Sequence, residues 1–348
     1  MKIVIPLINL SWHGGVRVLV RLANHLHAAG HDVELAVTRG YVTGRYFLSP
    51  GVDLKHVGVH TGFKPIDYLV FLGLIPFVVS PRSVVVANFF VTYFPARLGA
   101  WLRRGNLVYL VQDIETKYSG WSGRLLNLIC TWTYRDRNII TANRHLQKRL
   151  LANFGAGSAT VDIGPAEIFY ELQAGHRGSP QYDVIFFARR EPWKGLDRFY
   201  DLLSRGAPWR FICVSQDQAL LDELRARGLE CRCPGDDEEL IRVIDSARLL
   251  LFTSYDEGFG LPPLEAMSRG IPTILYPSQG PRLYVVHEQN AIYVNNVVEC
   301  QQRIEQLLTD GALYEQLSTA GRRTAEKFRM SVALVGMQKF IEDRSPIS

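Results

Sequence analysis

The sequence predicts an α/β chain of two parallel-sheet domains, and three features predict it. Residues 2–8 (KIVIPLI) form an apolar run that leads through a glycine loop into helically spaced apolar residues and then into a second strand-like stretch, 33–37 (VELAV). A new opening strand, 182–187, follows a stretch of linker composition at 173–180. A further apolar run, 249–252, ends in a turn rich in glycine and proline. Strands that alternate with helical stretches make βαβ units, whose strands lie parallel with helices on the sheet faces. A length of 348 residues suits two domains of ordinary size. We place them at 1–172 and 173–330, with a helical tail, 331–348, packing back on the first.

Composition narrows the class. Hydrophobic residues at 47% supply buried cores, and charged residues at 21% argue against disorder. Five cysteines without recurring spacing, and an N-terminus that runs straight into a strand, suggest a reducing, cytoplasmic setting. Residues 1–170 carry 18 Lys+Arg against 9 Asp+Glu, whereas the remainder carries 21 against 25. A basic first half suits an anionic membrane face or an acidic acceptor, and a plainly solvated surface accounts for it equally well. No nucleic-acid partner is expected. The longest apolar segment, 68–80, is too short to span a bilayer and contains Pro76. It reads as a core helix before a strand at 83–88, with shallow membrane contact by it or by 91–102, which includes Arg97, as the alternative.

Within the first domain, Val16, Leu19, Val20, Ala23 and Leu26 recur at helical spacing until Gly30 stops the helix. His13, His25, His27 and His31 do not read as metal ligands, because Gly30 breaks the spacing between the last two. A strand at 107–111 ends in Gln112 and Asp113, with Glu115 close behind. Strand ends of open parallel sheets face ligands, so these polar residues are site candidates, although Asp113 also suits a strand-end cap. A helix at 121–135, a strand at 138–142 and a helix at 144–151 complete this half. The second half continues with a helix from Leu196, strands at 211–215, 229–234 and 271–276, and final helices from Val298.

The chemistry concentrates in residues 254–267, SYDEGFGLPPLEAM. Gly258 and Gly260 let a ligand approach the main chain, and Pro262 and Pro263 suit a helix's first turn, within which Glu265 is expected. A helix N-terminus with bare glycines takes a phosphate. The carboxylates Glu257 and Glu265 offer only acceptors, so they suit sugar hydroxyls. A helix-capping loop with a surface glutamate is the plainer alternative.

The spacing of Glu257, seven residues and Glu265 resembles the motif of retaining family-four glycosyltransferases of the GT-B fold, in which two Rossmann-like domains face one another across a cleft. The resemblance implies that Glu257 contacts donor-sugar hydroxyls, that the amides of Gly258, Phe259, Gly260 and Leu261 hold the diphosphate and sugar, and that Glu265 binds the ribose. Gly14 and Gly15, in SWHGGVRVLVRLA, are similar to the family's glycine loop near the donor phosphates. Arg189 and Lys194 match its paired cations on the diphosphate, in place of a metal, with Arg190 as a near-equivalent of Arg189. The loop at Cys233 and Pro234 is where nucleobase contacts are expected. At the acceptor-side strand end the family often has His-Asp, whereas this chain has Gln112 and Asp113, as in some surface-polysaccharide and rhamnosyl transferases. Gln cannot titrate, so residue 112 is no general base. Gly280 to Tyr284 also departs from the family's Gly-Gly loop.

The function so implied is retaining transfer from a nucleotide-diphosphate sugar to a glycan or lipid-linked glycan, in bacterial cell-surface polysaccharide synthesis. Arg189, Lys194, Glu257 and Asp113 would act in catalysis and Gln112 and Asp113 on the acceptor, with no cofactor and no protein nucleophile. The expected location is the cytoplasm or the inner face of the membrane. The alternatives are a nucleotide-sugar-binding subunit without transfer and a retaining glycosidase, which also needs two carboxylates.

Overall fold

Apolar runs too short for helices pair into two parallel sheets in the computed structural model, which describes residues 1–11, 14–42, 48–116, 120–171 and 180–345, excluding the side chains of 120–122. His13 and the linker positions 173–179 lie outside the described residues. The contacts divide the chain into two units, one comprising the residues up to Asp162 together with those from Val332 on, the other Ile163–Ser331.

In the first unit the order is β1 (Lys2–Leu7), α1 (Gly14–Ala28), β2 (Asp32–Thr38), β3 (Asp53–Val57), α2 (Lys64–Val78), β4 (Val84–Ala87), α3 (Phe90–Leu102), β5 (Asn106–Val111), α4 (Gly120–Thr133), β6 (Ile139–Thr141), α5 (Arg144–Phe154) and β7 (Ala159–Thr160). The sheet runs β3-β2-β1-β4-β5-β6-β7. Each described pairing is parallel, with Ile3 opposite Val33 on one side of β1 and opposite Val84 on the other. Strands covered on both faces need unbroken apolar sequence, and β1 shows it, with Ile3 and Ile5 fully buried.

The second unit holds α6 (Ile168–Glu171), β8 (Tyr182–Phe187), α7 (Leu196–Ser204), β9 (Phe211–Val214), α8 (Gln218–Ala226), β10 (Glu230–Arg232), α9 (Asp237–Asp245), β11 (Ala247–Phe252), α10 (Leu261–Ser268), β12 (Thr273–Leu275), β13 (Ile292–Tyr293), α11 (Val297–Thr309) and α12 (Gly311–Ala325). Its parallel sheet runs β10-β9-β8-β11-β12-β13. Side-chain caps start several of its helices: Asp217 accepts from Leu220 N at 3.0 Å, and Asp236 from Glu239 N at 2.7 Å. The last helix, α13 (Met330–Glu342), passes into the first unit, where Gln338 meets His25 at 2.8 Å and Glu342 meets His31 at 3.0 Å. Two of the four histidines, His25 on α1 and His31 in the turn after it, therefore hold this helix.

Two expectations need correction. The switch between units falls at Asp162 and Ile163, not at 172 and 173. Phe169 is fully buried among Ile185, Ile212 and Leu250 of the second core, and its carbonyl accepts from Arg269 at 3.0 Å, so the segment after Asp162 packs forward. The apolar segment at 68–80 is not a core helix either. It belongs to α2, which starts at Lys64 and turns Phe71 and Ile75 inward while Leu69 is 71% and Phe77 70% exposed.

Candidate functional site

In the second unit the strand order reverses between β8 and β11, and the crevice at such a switch point is where open α/β sheets bind ligands. The loops leaving these two strands carry Arg189 to Lys194 and Glu257 to Leu261. They are joined by a backbone bond, Trp193 O accepting from Tyr255 N at 2.8 Å, and by a side-chain bond, Thr253 Oγ1 donating to Lys194 O at 3.0 Å. Gly195 makes this fit, with φ of +70°; an added Cβ would overlap the Thr253 carbonyl. Arg198 stacks between the rings of Tyr255 and Tyr276, 3.5 and 4.2 Å from their centres, and donates to Thr253 O at 2.8 Å.

Lys194 Nζ donates to both carboxylate oxygens of Glu257 at 2.9 Å, and Ser254 Oγ donates to Glu257 Oε1 at 2.8 Å. Both charged side chains are mostly enclosed, at 20% and 13% exposure. Arg189 is half-buried and has no hydrogen bond or ion pair among the described residues. Arg190 is not its equivalent. It is exposed and paired with Asp217 at 2.9 Å and Glu223 at 3.2 Å on the far side of the loop.

After Glu257, Gly260 takes φ of +85° and starts α10 without a side-chain cap. The segment from Gly280 to Tyr284, which departs from the family pattern, buttresses this turn. Gly280 N donates to Glu257 O at 3.1 Å, an added Cβ at Gly280 would lie 2.6 Å from the Phe259 backbone, and Tyr284 OH donates to Gly260 O at 2.6 Å. The rings of Phe259, Tyr284 and Phe328 cluster beneath. Because α10 begins at Leu261, Glu265 opens its second turn and not its first, and is only 1% exposed. Cys233 and Pro234 follow β10, where Gln216 donates to Pro234 O at 2.8 Å.

Sequence reasoning missed Gly195, Ser254, Arg198 and Tyr284. Gly195 alone had a local signal, a glycine directly before a helix.

The first unit gathers a separate set. Gly14 and Gly15 open α1, and Gln112 Nε2 donates to Gly15 O at 3.0 Å. A Cβ on Gly15 would come within 3.3 Å of Gln112 Oε1, so the amide packs against bare backbone. Asp113 Oδ1 accepts from Ile114 N at 2.8 Å, as a strand-end cap would.

Just beyond, Glu115 Oε2 accepts from Phe90 N at 3.0 Å and from Tyr109 OH at 3.1 Å. Burial pushes the Glu115 carboxyl up from 4.5 to about 8, outweighing these two bonds, and the nearby Asp113 charge adds to the rise. The folded group therefore keeps its proton to a higher pH than the unfolded one. Its contribution to stability is fully present below 4.5 and is lost as pH rises through about 8. We expect the melting temperature of the first unit to fall over that window, and Glu115→Gln to flatten the slope in pH-resolved calorimetry.

A family model described as glycosyl transferases group 1 matches residues 172–324, and one described as glycosyl transferase 4-like domain matches 13–166. The serotype-specific mannosyltransferase WbdA of Escherichia coli is 33% identical over 92 residues, 26% of this chain. The match spans 11% of that protein's length. Sucrose-phosphate synthase from Thermosynechococcus elongatus superposes with a TM-score of 0.78 at 16% identity, covering 99% of this chain and 98% of that one. HepE of Anabaena, solved in complex with UDP-glucose, superposes at 0.74 and 16% identity, covering 99% and 98%. With both halves matched in sequence and the two parallel-sheet units matched in structure, the chain belongs to the family-four glycosyltransferases of the GT-B fold.

Proposed function

We propose that the protein moves a sugar from a nucleotide-diphosphate donor to a hydroxyl of a glycan or lipid-linked glycan, with anomeric retention, in the building of cell-surface polysaccharide. The observation that carries this reading is the junction at the switch point of the second sheet, where Lys194 and Glu257 are held together beside an uncapped, glycine-bearing helix start. A cation and main-chain N–H groups suit a pyrophosphate, and a carboxylate beside them suits sugar hydroxyls.

In this reading Arg189, Lys194 and the amides of Gly258, Phe259, Gly260 and Leu261 take the diphosphate. Glu257 takes the donor sugar and Glu265 the ribose, Gly14 and Gly15 lie near the donor phosphates, and Gln112 and Asp113 serve the acceptor. The bond from the anomeric carbon to the phosphate oxygen breaks, and its electron pair leaves with the nucleoside diphosphate. The acceptor oxygen bonds to the same face of that carbon, and its proton passes to the departing phosphate oxygen. Arg189 and Lys194 stabilise charge that grows as the bond breaks, so they act more on the transition state than on the ground state. That HepE was solved with UDP-glucose supports a nucleotide sugar as donor. A glycosidase draws less support, because the Glu257 carboxylate that would serve as its acid or nucleophile is engaged through both oxygens by Lys194 and by Ser254.

The test is a thermal-shift panel of UDP-, GDP- and dTDP-sugars, followed by an assay for released nucleoside diphosphate. A true donor at a hundred times its Kd stabilises by about 2.7 kcal/mol, which raises Tm by roughly 5 to 10 °C. Release of the diphosphate on adding a glycan acceptor supports transfer. Donor binding without release with any acceptor would leave a binding subunit, and hydrolysis of an aryl glycoside without nucleotide would point to a glycosidase.

A further inference from the structure

Three consecutive helices of the first unit leave an apolar stripe exposed. On α2 the outward positions Ile66, Leu69 and Phe77 follow one another at helical spacing, at 48%, 71% and 70% exposure. On α3 they are Phe94, Leu98 and Trp101, with Trp101 at 73%, and on α4 they are Leu125, Leu128 and Trp132, all above half exposed. In the second unit, by contrast, the exposed large hydrophobics are the scattered Tyr255, Val286 and Val298 among the described residues.

The topology brings the stripes together. The crossovers carrying α2, α3 and α4 all step along the sheet in one direction, from β3 to β4, then β5, then β6, and right-handed connections place them on one face. The crossover through α1 steps the other way, so α1 and the α13 it holds lie on the opposite face. Gly99 of α3 sits against Pro76 and Val79 at the end of α2, so those two helices pack side by side.

Charge chooses the occupant. The only acidic residue in the three helices is Asp67, which is fully buried and accepts from Thr61 and Tyr41. Lys64, Arg103, Arg124 and Arg135 lie on or beside the stripes and are exposed, while Arg97, also exposed, pairs with the enclosed carboxylate of Asp136 at 3.2 Å. Aliphatic and tryptophan side chains framed by arginine, with the nearby carboxylates Asp67 and Asp136 turned away from solvent, match the headgroup region of an anionic bilayer. No described helix is long and apolar enough to cross a membrane, so this face would lie on the surface.

We propose that the outer face of α2, α3 and α4 docks the protein on an anionic lipid surface. Docking does not rest on the transfer reading, and vesicle binding and sugar transfer can fail separately. The test is cosedimentation of the full chain with vesicles of phosphatidylcholine and phosphatidylglycerol, set against phosphatidylcholine alone. We expect binding to the anionic vesicles, weakened by salt. Both the triple variant Leu69→Ser, Phe77→Ser, Trp101→Ser and the double variant Arg103→Glu, Arg124→Glu should lose it roughly tenfold or more. Val335→Ser, exposed on α13, should bind as the parent does. All substituted positions are exposed, and a melting curve confirms the fold of each variant. Equal binding by parent and triple variant overturns the proposal. So does absence of binding, including the case where light scattering shows self-association that the triple variant abolishes, which would make a second copy the occupant.

Discussion

Replacing Lys194 with alanine is expected to lower kcat/KM for donor turnover by about a hundred- to a thousandfold, the usual cost of removing one donor aimed at developing charge. The lysine holds Glu257 through both carboxylate oxygens at 2.9 Å, so the variant loses the cation for the leaving phosphate and leaves the carboxylate with Ser254. The two effects separate in Glu257→Gln. That variant keeps Lys194 for the phosphate and should chiefly raise KM for the donor. Arg190→Ala is the control. Its pairs with Asp217 and Glu223 are exposed, and turnover should change by less than about twofold, as removing surface pairs usually does. Steady-state kinetics with the donor found in the thermal-shift panel reads all three. A Lys194→Ala enzyme with normal turnover would remove the basis for the proposed site.

Gly195→Ala is expected to lower the melting temperature of the second unit by roughly 5 to 15 °C. An L-residue at φ of +70° costs about 1–2 kcal/mol, and forcing a methyl into a packed contact costs about 1–3 more. Each kcal/mol is about 2–4 °C in a unit of this size. The neighbour is main chain, with the Thr253 carbonyl carbon only 2.7 Å from the added Cβ, and a peptide group cannot swing aside as a long side chain can. The shift needed would pull Trp193 O from Tyr255 N, so donor affinity should fall along with stability. Calorimetry and donor titration below the transition measure the two losses. By comparison, Gly228→Ala, where an added Cβ meets nothing within 4 Å, should show the backbone cost alone.

The central strands and the glycine turns were legible in the sequence because both are local. Residues 3–7, 184–187 and 249–252 are apolar throughout, as strands covered on both faces must be, and they fall in β1, β8 and β11. The strands β3, β7 and β13 were not read. They are short, and β3 (DLKHV) carries Asp53, Lys55 and His56 at the sheet edge, where one side meets solvent. At the site, Glu257 and Lys194 could be named from the motif, but their mutual bond joins residues far apart in sequence and has no local signature. The buttress of Gly280 and Tyr284 escaped for the same reason. The outward face of α2 was misread because a uniformly apolar helix carries no polar side by which to tell core from surface.

The return of α13 to α1 has a consequence for how the molecule is made. The second unit is inserted within the first, which cannot close its own core until the ribosome has added the residues past Val332. During synthesis the later-encoded unit therefore has all its sequence first, while α1 waits with His25 and His31 unmatched. A gene split after Asp162 would yield half a fold, whereas joining Asp162 to Val332 through a short linker is the route to an autonomous first unit.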